Sequence, residues 1–251
     1  MKKFDTYLDL CTQVYDLSKP IPPKDSYEFY RSYVASAKGP ILAPMCGSGR
    51  FLLPLLEEGF DIQGFDASEH MLEALHSKAK SKNLKPDVWQ DFVKDLKKQE
   101  KYGLVFIPAG SFGLIIDIEE SIEALKIFYE HLNTEGTLVF EVETLKSAPN
   151  QLGVWRTSVW PKKDGKIIVA NFLDFSLENN VSRTICKYEL VDGNDIIQTE
   201  VEIFNIRLYD SSQIIEMLTK AGFRDVKVFK PFDKFSKSDK NDELIVCECR
   251  K

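Results

Sequence analysis

The chain has 251 residues, enough for one large domain or two small ones with a substantial core. Hydrophobic residues make up 43% and charged residues 29%, which excludes wholesale disorder. With 33 Lys and Arg against 39 Asp and Glu the net charge is -6, so no overall positive field draws the chain to nucleic acid or an anionic membrane. The odd set Cys11, Cys46, Cys186, Cys247 and Cys249 shows no CxxC or Cys/His spacing suited to zinc, which points to reduced thiols, no metal and a cytoplasmic protein. Asp5 and Asp9 interrupt the apolar run that a signal peptide needs, and no run approaches the roughly 20 residues that span a bilayer.

Residues 1–38 carry Phe4, Tyr7, Tyr15, Tyr27, Phe29, Tyr30 and Tyr33 around a KPIPP break, predicting two short helices with a kinked joint. From Pro40 short apolar runs alternate with amphipathic stretches: ILAPM, RFLLPLLEEG, DIQGF, SEHMLEALHSKAKSK, DVWQ, YGLVFIP, IEESIEALKIFYEHL and GTLVFEVE. This β-α-β alternation predicts a parallel sheet with helices on its faces. Asp66-Ala67-Ser68 and Asp117 are helix starts. Residues 154–206 read instead as strands, with turns at Asp164-Gly165, Glu178-Asn179-Asn180 and Asp192-Gly193-Asn194, hence an inserted antiparallel meander. A late helix follows, capped by Ser211 or Asp210 and stopped at Gly222, and then the strands DVKVFK and ELIVCEC. His70, His76 and His131 fall on predicted helices and read as helix-surface residues.

The first strand ends in Pro44-Met45-Cys46-Gly47-Ser48-Gly49-Arg50 and a helix begins almost at once. A glycine turn there lets a ligand press against backbone and exposes N–H groups at a helix start. The second strand ends at Asp66, where a carboxylate can accept both hydroxyl protons of a ribose. The G-x-G-x-x-G frame places Leu52 where a third glycine belongs, which argues against NAD or FAD, and no P-loop string occurs.

ILAPMCGSGR, GFDASEHML, VWQDFVKDL, YGLVFIPAGSFGLI and GTLVFEVET resemble successive motifs of class I S-adenosylmethionine-dependent methyltransferases, and RLYDSSQIIEMLTKAGF is similar to that family's late helix. The resemblance implies a seven-stranded Rossmann-like α/β sheet with helices on both faces and S-adenosyl-L-methionine as cofactor. It divides the chain into a helical cap at 1–38, a cofactor-binding domain at 39–150 and 207–251, and an inserted β meander at 151–206 that covers the acceptor. Gly47 and Gly49 would form the floor under the methionine and ribose portions, Asp66 would bind the ribose beside Ala67, and Met71 would pack on the adenine. Asp91 would accept the adenine amine, Phe92 would offer it an N–H and an apolar wall, and Pro108 and Ala109 would line the sulfonium region. Ala43 and Met45 also border the cofactor, standing where the family commonly has an acid and a glycine, and Gly103 stands where an aspartate often opens the fourth strand.

Methyl transfer is an in-line displacement that mainly needs an aligned, desolvated acceptor, so no triad is required. The acceptor would approach strands four and five, where Ser111, Phe112, Glu141, Glu143 and Thr144 fall. Glu143 is the candidate base or amine anchor, with a structural carboxylate as the alternative. Trp155, Arg207 and Tyr209 are candidate acceptor contacts, and Tyr15 and Arg31 would close over the cofactor with Arg31 on its carboxylate. The expected partner is a small-molecule methyl acceptor, bound by a monomer or homodimer. A catalytically silent cofactor-binding module is the competing reading, motivated by Ala43, followed by a nucleotide-linked oxidoreductase.

Overall fold

The apolar runs form two sheets in the structure, a computed structural model that describes residues 5–251. Phe4 lies outside the described residues. After α1 (Asp9–Ser18) and α2 (Lys24–Ser36), the main sheet is built from β1 (Ile41–Pro44), β2 (Ile62–Asp66), β3 (Asp87–Gln90), β4 (Tyr102–Ile107) and β5 (Leu132–Glu143). It incorporates α3 (Leu52–Glu57), α4 (Glu69–Ser81) and α5 (Ile118–His131) as crossovers. The inserted sheet comprises β6 (Trp155–Pro161), β7 (Ile167–Glu178), β8 (Val181–Asp192) and β9 (Asp195–Arg207). The chain then returns through α6 (Ser211–Lys220), β10 (Arg224–Lys230), β11 (Asp233–Lys237) and β12 (Leu244–Arg250).

The main sheet runs β11-β10-β12-β5-β4-β1-β2-β3, with β1 to β5 parallel and β12 antiparallel to both β5 and β10. These include the seven strands of the expected arrangement, with the short β11 added at one edge beside β10. Because β1 lies between β2 and β4, successive crossovers leave β1 in opposite directions and open a crevice at the strands' carboxyl ends. All four residues of β1 are buried, as befits a strand covered on both faces. One face packs Tyr30, Leu52, Leu55 and Leu75 from α2, α3 and α4 against Ala43, Phe106 and Val139. The other packs Leu125 and Phe128 of α5 and Met217 and Leu218 of α6 against Val105, Phe140 and Val142.

Local chemistry sets the helix limits. Ser68 accepts from Met71 N at 3.2 Å, Asp117 from Glu120 N at 3.0 Å and Asp210 from Ser212 N at 2.8 Å, so Asp210 rather than Ser211 caps α6. His131, expected on a helix surface, is buried at the end of α5 with Nδ1 2.7 Å from the Ile127 carbonyl. Gly103 has a steric reason to stand where the resemblance expects an aspartate: a Cβ there would meet the Lys38 carbonyl oxygen at 2.2 Å.

The β6-β7-β8-β9 sheet is wholly antiparallel and turns where the sequence expects. Its inner face packs Ile168, Ala170 and Tyr188 against Leu10, Cys11 and Val14 of α1. Glu202 on β9 accepts the N–H groups of Tyr7 and Leu8 at 2.8 and 2.9 Å, and Glu200 that of Leu10 at 2.8 Å. These carboxylates satisfy donors that a helix start leaves unpaired. Residues 5–38 therefore divide between the two sheets, α1 packing on the inserted one and α2 on the main one.

Candidate active site

The turn after β1 is held by hydrogen bonds that cross to β2. Asp66, only 9% exposed, accepts from Gly47 N at 2.7 Å and from Ser68 N at 2.9 Å, so one carboxylate braces both the glycine turn and the start of α4. Burial pushes its carboxyl above the ordinary value while these N–H groups pull it down. Each oxygen retains a lone pair for a ligand. Met45 and Gly47 both adopt left-handed backbone, at φ 54°, which explains why a glycine suits position 45 as well as 47. Gly49 has another cause: a Cβ there would stand 2.9 Å from both Leu53 and Leu75, so it serves helix packing. It is not among the residues lining the cavity described next, and its expected place in the cofactor floor is corrected.

A cavity of about 520 Å³ opens at the crevice. Ala43, Met45 and Gly47 line its first-strand side, Asp66, Ala67 and Met71 its second-strand side. Asp91 and Phe92 lie beyond β3, and Pro108, Ala109 and Ser111 beyond β4. Asp91 Oδ1 accepts the Phe92 N–H at 2.9 Å and Oδ2 accepts from Trp89 Nε1 at 3.3 Å, so the expected use of that N–H by a ligand is corrected to an internal bond. Ala109 is left-handed at φ 63°, and its N–H donates to Oε1 of Glu141, a carboxylate only 2% exposed. Ser111 Oγ donates to the Pro108 carbonyl at 3.1 Å. Burial raises the Cys46 thiol well above its usual value, which removes thiolate character beside the turn.

Tyr15 reaches this cavity from α1, but Arg31 does not. The Arg31 guanidinium pairs with Glu58, which also accepts from Tyr27 at 2.7 Å, and the expected contact with a cofactor carboxylate is corrected. The arginine at the cavity is Arg50, which sequence reasoning missed as a site residue. Its guanidinium carbon lies 5.4 Å from the Tyr15 ring centroid and 5.3 Å from that of Phe51. The available signal was its position next to the glycine turn.

Beside this apolar crevice lies a polar cavity of about 510 Å³ between β5 and the inserted sheet, bordered by Glu143, Asn150, Gln151, Arg156, Asp174 and Thr184. Asp174, 5% exposed, accepts from Arg156 and from Thr184 Oγ1 at 2.6 Å, and these partners hold its carboxyl below the usual range against desolvation. Glu143 Oε2 accepts from Ser147 Oγ at 3.2 Å. Gly110 stands between residues of the two linings: a Cβ there would lie 3.8 Å from Oε1 of Glu143, which borders the polar cavity, while the preceding Ala109 lines the first cavity.

Four expected acceptor contacts are corrected. Phe112 is fully buried, with ring centroids 4.9 Å from Phe140 and 5.9 Å from Tyr209. Tyr209 is fully buried too, its hydroxyl 3.1 Å from Ser121 Oγ, with burial pushing the phenol up to about 12. Arg207 uses Nε on the Ile116 carbonyl and Nη1 on the Asn179 carbonyl at 3.2 Å, joining loops instead of facing a ligand. Trp155 is 51% exposed and alternation sends it away from the polar cavity, which its neighbours Val154 and Arg156 line.

Residues 41–136 match the family model described as a methyltransferase domain. A protein of Geobacillus sp. (strain WCH70), provisionally named a methyltransferase, is 22% identical over 238 residues, covering 92% of this chain and 94% of the relative. A solved S-adenosylmethionine-dependent methyltransferase from Clostridium acetobutylicum ATCC 824 superposes with a TM-score of 0.78 at 18% identity, covering 95% of this chain and 96% of that one. The sugar N-methyltransferase KedS8 from Streptoalloteichus sp ATCC 53650 gives 0.76 at 19% identity, covering 100% and 97%.

Proposed function

We propose that this chain, by its domain match and its fold a class I S-adenosylmethionine-dependent methyltransferase, transfers a methyl group to an amine of a small, hydroxyl-rich acceptor seated between β5 and the inserted sheet. The observation that carries this reading is the short step between the two linings, with Ala109 in the first and Glu143, 3.8 Å from the Cβ position of the intervening Gly110, in the polar one. The residues present fit the cofactor. Asp66 keeps an acceptor lone pair on each oxygen for a ribose, Asp91 and Phe92 border the space for adenine, and the crevice has the size of a small-ligand site. Met71 and Ala67 wall the nucleoside end, while Gly47, Pro108 and Ala109 present backbone towards the reacting end. Bound S-adenosylmethionine supplies a methyl group activated by its sulfonium for in-line displacement.

The protein's own task is to present a neutral lone pair and remove a proton. Glu143 accepts the hydrogen bond of the incoming amine and takes its proton as the new bond forms. The polar cavity offers both donors and acceptors, Asn150, Gln151, Arg156 and Thr184, which suits a polyhydroxylated ring better than an apolar phenol. The sugar N-methyltransferase activity named for KedS8 supports the same acceptor class. Methyl transfer from labelled donor to a panel of amino sugars, simple amines and phenols tests the reading. Turnover of amino sugars with 10-fold or greater preference supports it, and turnover confined to phenols or carboxylates contradicts it.

A further inference from the structure

The inserted sheet is apolar on both faces. Its inner face is covered, with Ile168 and Tyr188 packed against Leu10 and Val14 of α1. On the outer face the strand register aligns Trp155, Leu173, Ile185 and Ile203 in one row across all four strands. At the far end of β6 it aligns Pro161, Ile167, Val191 and Ile196 in another. Trp155 and Ile203, at the two ends of the first row, are 51% and 49% exposed, and Ile196 in the second is 58% exposed, so the described chain leaves both rows open to solvent. An antiparallel sheet with one free face alternates apolar inside with polar outside, whereas apolar rows on both faces are the pattern of a middle layer.

We propose that a second copy of this chain docks on the outer face, sheet on sheet, about a two-fold axis. The charges select that occupant. Lys187 and Glu189, 2.7 Å apart, are the only charged side chains in the four outer rows between Trp155 and Pro161, so the face is neutral in a chain of net charge -6. Two acidic copies can meet there without like-charge repulsion, and the face lacks the Lys and Arg that an anionic membrane surface selects. It is also its own complement. An axis running across the strands between Lys187 and Glu189 lays the Trp155 row of one copy on the Pro161 row of the other, and Lys187 of each copy over Glu189 of the other. The two intramolecular ion pairs then join in one cluster of alternating sign. Four strands about 4.8 Å apart and seven residues of about 3.4 Å each project to about 450 Å². Side-chain relief raises that area towards the roughly 800 Å² of accessible surface that each partner buries in a stable interface.

Light scattering and sedimentation velocity on the full chain, across a dilution series, test the proposal. Wild-type protein should show twice the chain mass at about 20 μM and dissociate on dilution. Ile203→Lys, at an exposed position where circular dichroism should stay unaltered, should weaken the dimer about 100-fold or more. Lys187→Glu and Glu189→Lys should each weaken it about 10-fold or more, because like charges then face each other across the axis. Mixing these two variants should bring association back to within about 3-fold of wild type, since every facing pair in the mixed dimer is again opposite in sign. A role of the ion pair within one chain would give no such recovery. Monomer at every concentration up to about 200 μM, a dimer that Ile203→Lys leaves intact, mixing without recovery, or open-ended growth of the oligomer would overturn the proposal. So would a monomer that cosediments with vesicles of anionic phospholipid, which would assign the face to a membrane.

Discussion

The two cavities on either side of Gly110 differ in how they are built. The crevice proposed for the cofactor is formed by strand ends and the turns after them, and its polar groups are few and braced by backbone, as Asp66 is by the Gly47 and Ser68 N–H groups. The polar cavity depends on side chains meeting across an insertion, as in Arg156–Asp174–Thr184. The first constrains geometry through the main chain and suits a ligand that every turnover shares. The second leaves specificity to side chains, where acceptor preference can change without disturbing the fold. Helix α1 joins them: Leu10 and Val14 pack on the inserted sheet, while Asp16 accepts from Ser48 Oγ and from Lys78 Nζ at 2.7 Å, beside the glycine turn.

Substitutions that separate the cavities test this contrast, beginning with the largest effect. Glu143→Gln should lower kcat by about 100- to 1000-fold while leaving the Kd of S-adenosylhomocysteine within about 2-fold, because it removes the proton acceptor without touching the crevice. Steady-state kinetics and calorimetry on the same preparation check it. Asp66→Ala should act on the other cavity, weakening cofactor affinity by about 2–3 kcal/mol. The change also leaves the Gly47 and Ser68 N–H groups without their acceptor, and urea melts should show a further loss of about 2–4 kcal/mol.

A third prediction concerns pH. The folded-state pKa of Glu141 is raised from 4.5 to about 7, so its contribution is fully present below the unfolded value and is lost as pH rises through the folded one. Ligand-free wild-type protein should therefore lose about 3 kcal/mol more than Glu141→Gln between pH 4 and pH 8 in denaturant titrations. Parallel pH profiles would remove the burial argument for this group. Asp16→Ala should detach α1 from the glycine turn at a cost of about 1 kcal/mol in stability, with cofactor affinity weakened a few-fold. Smallest of all, Trp155→Ala should leave the acceptor KM within about 2-fold, whereas Arg156→Ala should raise it about 10-fold or more.

Much of the main sheet was legible because periodicity, glycine turns and capping residues are local. The glycine turn and Asp66 could be paired from spacing alone, since a β-α-β unit brings adjacent strand ends together. The details that escaped were set by tertiary neighbours. Arg31 looks able to meet a carboxylate until Glu58 claims it, and Arg50 stands at the cavity in its place. Trp155 and Arg156 differ only in strand parity, and the inserted sheet's mixed polarity gives no clear inward face to read. Tyr209 and Phe112 stand where an acceptor contact was expected, but α5 and β5 bury both. Gly49 sits in a motif suggestive of ligand approach, yet Leu53 and Leu75 already account for it.

The central claim is that the crevice beneath Gly47, Asp66 and Ala109 holds the methyl donor. Calorimetric titration of the purified full chain with S-adenosylhomocysteine, alongside NADH as a nucleotide of another class, tests it most directly. The account predicts saturable one-to-one binding of the first in the micromolar range and none of the second. No heat and no thermal shift with S-adenosylhomocysteine, from folded protein free of copurified ligand, would contradict it, as would tighter binding of NADH.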